Sequence, residues 1–173
     1  VEPIEPPADH VIWPVLVSLA ECLCQQITDS GLPEPCFCGI LPGGPEVAFD
    51  YCDSCEDGTC GQAWVRLGNV FPSTVFPAPQ VDNAKCTSPL AFEVEVGIVR
   101  CAPAMGDEGQ PPSLGDQFVT AQLAVADMMA MRRAILCCAN STKGRDYYLG
   151  AYSPIGPEGG CVGGSWATAF SEM

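Results

Sequence analysis

The sequence predicts an α+β domain, a small antiparallel or mixed β-sheet with two helices packed on it. Three observations lead there. Two long segments, one near the start and one past the middle, repeat apolar residues at helical spacing. Short apolar and β-branched runs lie between and after them, one with strict alternation. Glycine and proline, at 18 and 17 residues, supply turns for many short connections. A length of 173 residues suits one domain. Residues 1–13 are therefore read as an N-terminal extended arm and 14–173 as a single domain.

In the arm, Pro3, Pro6 and Pro7 oppose helix. A helix is expected from about Pro14, since proline is tolerated in a first turn. Ile12, Leu16, Leu19, Leu23 and Ile27 form its apolar stripe, with Val17, Ala20 and Cys24 beside it. Gly31 and Pro33 end it. Strand-like runs follow: CFCGIL, EVAFDYC and QAWVRLGNVF, with PGGP as the turn between the first two. A proline-rich loop leads into LAFEVEVGIVRC. There Phe92, Val94, Val96 and Ile98 point one way, Glu93 and Glu95 the other. Ser113 and Asp116 have capping-box spacing before a second helix that runs to about Cys138. Phe118, Val125, Met129 and Leu136 make one stripe of it, Val119, Leu123, Ala126, Ala130 and Ala134 the next, and Phe118, Val125 and Met129 are expected to be buried across the sheet. DYYLGAYSPIG, the turn PEGGCVGG and SWATAF read as a closing pair of strands.

A net charge of −14, from 21 acidic and seven basic groups, disfavours a basic grip on nucleic acid. The same charge disfavours anionic membrane surfaces, and no apolar run reaches the length of a membrane span. VEPIEPPADH has no basic n-region, which argues against a signal peptide. The single histidine, His10, lies in the arm, a poor place for a positioned base. GGCVGG shares only its glycines with a phosphate-binding loop, lacking the Lys and Ser/Thr. Glu93 and Glu95 sit about 7 Å apart by strand geometry, and a solvated strand face accounts for them better than a glycosidase pair. No catalytic residue is assigned, and the chain is read as not an enzyme.

Twelve cysteines demand an account. Cys52, Cys55 and Cys60 crowd one loop before the QAWVRL run, with Cys86 as a conceivable fourth member. Zinc wants four tetrahedral ligands, and only the Cys52–Cys55 spacing suits a knuckle. A disulfide from this loop to a distant thiol, Cys86 among the candidates, is the second reading, and inert thiols are the third. Cys22, Cys24, Cys137 and Cys138 fit inert buried thiols best. In each case the role is structural, and no cofactor is assigned.

WPVLVSLAECLCQQI, CGQAWVRLGNVFPSTVFP, PLAFEVEVGIVRCAP, DMMAMRRAILCC and GPEGGCVGGSW together resemble the tail terminator proteins of long-tailed (siphovirus) actinobacteriophages, over residues 12–170. The resemblance implies a tail-terminator-like fold and a homo-oligomeric ring, usually hexameric, assembled in the host cytoplasm and carried in the virion. Its partners would be the tail tube protein and a head-side connector or stopper, with DNA passing through the lumen unbound. Sheet edges and loops are the expected contacts, and Glu93 and Glu95 are candidates to border the lumen. Two alternatives stand beside this: another neck ring protein, either a head-completion stopper or an adaptor, and a zinc-stabilised protein-binding module.

Overall fold

The computed structural model describes residues 11–44, 46–52, 55, 60–80, 85, 88–103, 109–139 and 145–172. His10 and Cys86 lie outside them. The fold is α+β, a mixed five-stranded sheet with two helices on one face. In chain order the elements are α1 (Ile12–Asp29), β1 (Phe37–Leu41), a 3-10 turn (Asp50–Cys52), β2 (Gly61–Pro72), β3 (Leu90–Cys101), α2 (Leu114–Ala139), β4 (Tyr147–Glu158) and β5 (Cys161–Ser171). The strands lie in the order β1-β2-β3-β5-β4, with β1 parallel to β2 and every other pairing antiparallel.

Local chemistry sets the ends of these elements. Pro14 lies in the first turn of α1, where its missing N–H has no helical acceptor to lose. Gly31 closes α1 at φ +65°, with Gly31 N–H bonded to Thr28 O and Leu32 N–H to Ile27 O, a Schellman ending. Ser113 Oγ accepts the Asp116 backbone N–H at 3.1 Å and so caps α2. Gly159 and Gly160, at φ +54° and +76°, make the two-residue turn between β4 and β5. The expected broad turn PEGGCVGG is thus only its first glycine pair, and β5 begins at Cys161.

The core lies between the sheet and the helices. Val15, Leu16, Leu19, Leu23 and Ile27 of α1 meet Ala63 and Val65 of β2 and the row Phe92, Val94, Val96 and Ile98 of β3. Phe92 stacks on its cross-strand partner Phe170 with ring centroids 5.7 Å apart. α1 packs on β1 and β2, while α2 packs on β5, β3 and β4. No helix among the described residues is long and apolar enough to cross a membrane.

Two expectations are corrected. EVAFDYC is not a strand. Phe49 folds over the sheet's second face against Trp64, at 6.1 Å between rings, and Asp50–Cys52 closes in a 3-10 turn. Cys52 N–H bonds to Phe49 O, so the segment's alternation serves a covering turn rather than a ladder. The α2 stripe is also reversed. Phe118 and Val125 are 64% and 59% exposed and Met129 is 36% exposed, whereas Asp127, Ala130, Met131, Ala134, Ile135 and Cys138 are buried. The helix is apolar on two sides, so periodicity alone could not tell which side meets the sheet.

Candidate subunit interface and the cysteine staples

The second face of the sheet carries a smaller core of its own. Cys52, Trp64, Val99 and Cys161 are buried there, with Leu41, Val47, Phe49, Cys55 and Ile155 around them. Trp64 lies flat over Gly97, its cross-strand partner. A methyl group at Gly97 would occupy the indole's space, which is why glycine stands there.

Disulfides hold the covering segment down. Cys101 and Cys161 are cross-strand partners on β3 and β5. Cys161 bonds Cys52 and Cys101 bonds Cys55, so the Cys52-x2-Cys55 spacing docks on two neighbouring strands at once. Cys60 bonds Cys36 beside the start of β1. The Cα separations of these three, 5.7, 5.6 and 5.2 Å, suit a disulfide. Cys52, Cys55 and Cys60 are thus each bonded to a distant partner. These thiols cannot also ligate zinc, and among the described residues no cluster of metal ligands forms. The proposed fourth member, Cys86, falls outside the described residues.

The helix cysteines overturn the inert-thiol expectation. Cys22 bonds Cys138 and joins the two helices, and Cys24 bonds Cys38 and joins α1 to β1. Only Cys137 keeps an exposed thiol among the described residues. Cys22 and Cys24, two apart on a helix, point to different sides and so reach different elements.

Glu93 and Glu95 lie on the face opposite the helices, as the alternation requires, but they differ. Glu95 accepts from Trp64 Nε1 at 3.2 Å, from Arg66 Nε at 3.0 Å and from Arg66 Nη2 at 2.6 Å. Arg66 Nη1 reaches Gly44 O at 2.9 Å, so the pair anchors the loop after β1. Glu93 accepts from Asn69 Nδ2, at 2.7 Å, and Asn69 stands in the irregularity where β2 shifts register between Leu67 and Val70.

Among the described residues, the outer side of α2 carries a line of exposed apolar side chains. At 100° per residue, Leu114, Phe118, Val125 and Met129 fall within about 60° of one another along about 22 Å of helix. All four are exposed, Leu114 at 86%. Arg132 continues the line, seven residues beyond Val125, and both Arg132 and Arg133 are exposed without a carboxylate partner among the described residues.

A concave counterpart lies on the other half of the helix layer. Ile12, Trp13, Leu16, Ile40, Leu41 and Leu67 line an apolar groove of about 400 Å³ where α1 meets the end of β1. Trp13 is 44% exposed at its rim. Sequence reading missed this groove because its residues come from three elements. In comparison with known proteins, no family model matches the chain and no curated protein matches it.

Proposed function

We propose that this chain is a structural virion protein of a long-tailed phage. Its subunits close into a ring, most simply a hexamer, at the head-proximal end of the tail tube. The ring ends tube polymerisation, joins the tail to the head-side connector, and lets DNA pass through its lumen without specific binding. The proposal is that the protein acts by assembly, not by catalysis.

One observation carries the assembly reading. A folded domain has placed four large apolar side chains in line on the outside of a long helix, although the same helix has a second apolar side for its core. A contiguous exposed apolar stripe of this kind marks an interaction site. Assignment to the tail end rests on the resemblance of the sequence motifs, and the α+β fold with its acidic composition is compatible with it. Five disulfides among the described residues suit a protein whose working life is spent in the oxidising surroundings of a released particle.

Native mass spectrometry and negative-stain microscopy of the oxidised protein test the ring: a closed oligomer is expected, and a monomer at every concentration refutes it. Addition to polymerising tail tube protein tests the placement. Capped tubes of limited length are expected. Rings that leave tube growth unchanged would reassign the protein to another neck position, such as a stopper or adaptor.

A further inference from the structure

We infer that successive subunits join head to tail, the α2 ridge of one copy seating in the groove between α1 and β1 of the next. This rests on the ring reading above and specifies its contact. A closed ring of one chain needs two different, complementary surfaces on each subunit, because a self-complementary patch stops at a dimer. The ridge is convex and apolar, formed by Leu114, Phe118, Val125 and Met129. The groove is concave and apolar, and it lies at the β1–β2 side of the layer, whereas α2 packs over β5, β3 and β4. The two surfaces thus belong to opposite halves of the domain, and each copy offers both.

Charge selects the same occupant. Most of this acidic chain would repel a second copy. The ridge instead continues into Arg132, with Arg133 on the adjoining side of the helix, both exposed. Charges of both signs stand near the groove: Arg145 Nη1 donates to Val11 O at 3.4 Å, beside Ile12 and Trp13, and two carboxylates stand farther along the chain from that end. Glu21 stands on the α1 face that carries Trp13 and Val17, at i+8 and i+4 spacing, and Glu46 follows the Pro42–Gly43 lip; both are exposed. The basic end of the ridge is therefore matched to the Glu21 end of the groove and not to its Arg145 end, which fixes direction.

The test uses two single variants of the full oxidised chain. Phe118→Asp disables the ridge and leaves the groove, and Trp13→Asp disables the groove and leaves the ridge. Each alone is expected to be monomeric, with its contact weakened at least about thirtyfold. Mixed together they are expected to form a 1:1 heterodimer that grows no further, because only one productive contact remains. Pro42→Glu, at an exposed residue of the groove, should behave like Trp13→Asp and guards against a folding defect at the tryptophan. Arg132→Glu should weaken the ring, and Glu21→Arg in the same chain should restore part of it at low salt. If the wild type forms rings and Trp13→Asp and Pro42→Glu still do, the ring stands and this pairing is wrong. If Trp13→Asp stops at a dimer by itself, the ridge pairs with a second ridge and the head-to-tail contact is refuted. A monomeric wild type refutes both.

Discussion

Arg100 on β3 grips Asp127 on α2 through two hydrogen bonds, Nε to Oδ2 at 2.6 Å and Nη2 to Oδ1 at 2.7 Å. Its third nitrogen, Nη1, donates to Pro33 O at 2.8 Å. One guanidinium therefore ties the sheet, the second helix and the loop after α1 together inside the core. The side chains are only 11% and 3% exposed. Asp127→Ala leaves Arg100 buried and unpaired, and should lower stability by about 3–5 kcal/mol. Replacing both, Arg100→Met with Asp127→Leu, should recover most of that loss. Denaturant titration of the oxidised proteins measures both, and an Asp127→Ala variant within about 1 kcal/mol of wild type would contradict the role assigned to the pair.

Tyr152 titrates above the ordinary tyrosine value of 10.0, first because burial penalises the phenolate and second because Asp127 lies near enough to repel it. The folded protein holds this proton more tightly than the unfolded chain. The stabilisation is complete below about pH 10 and is lost as pH rises through the folded value. Tyr152→Phe should flatten the alkaline end of the stability profile and leave its neutral region without that slope. An unchanged slope above pH 10 in the variant would place the titrating group elsewhere.

Bridges cover ten cysteines, leaving Cys137 as the exposed thiol and Cys86 outside the described residues. Alkylation of the unreduced, denatured chain should therefore modify no cysteine other than Cys137 and Cys86, as read by peptide mass spectrometry. The Cys52–Cys161 bridge spans 109 residues of sequence. Its removal as a Ser/Ser pair should cost about 3–5 kcal/mol by loop-closure entropy, and should loosen the covering segment before the helix core.

The two glutamates of β3 should separate experimentally. Glu95→Ala strands Arg66 and the Trp64 indole N–H in a part-buried site, a loss of about 1–3 kcal/mol. Glu93→Lys should change stability by no more than about 0.5 kcal/mol. Glu93 is then the cleaner probe of whether this face borders the proposed lumen. If it borders the channel, particles carrying Glu93→Lys should eject DNA more slowly at low salt, with the rate partly restored at high salt. Ejection unchanged at every salt concentration places Glu93 on the outer surface.

Local pattern alone determined a good part of this protein. The alternation of LAFEVEVGIVRC specified which row of β3 faces the helices, because a strand's side chains can only alternate, but not that Ala91 and Val99 of the other row are buried as well. Ser113 announced the start of α2 and Gly31 the end of α1, since cap chemistry is written within a few residues. Arg100 was not singled out, although it continues the helix-facing row of Phe92 to Ile98, where an arginine requires a buried acceptor. Which acceptor was not legible, because Asp127 lies on another element.

Tertiary structure alone decided the rest. Ten cysteines permit very many pairings, and only the adjacency of Cys101 and Cys161 across β3 and β5 explains why Cys52 and Cys55 separate to two strands. The same holds for α2. Both of its sides are apolar, so periodicity did not separate the Phe118 stripe from the side that carries Met131. The sheet is reached by the side carrying Asp127 and Met131, where Arg100 needs its carboxylate, and that pairing turns Phe118 outward. A buried cation must be matched before an apolar side chain is covered, because the unpaired charge is the more costly of the two.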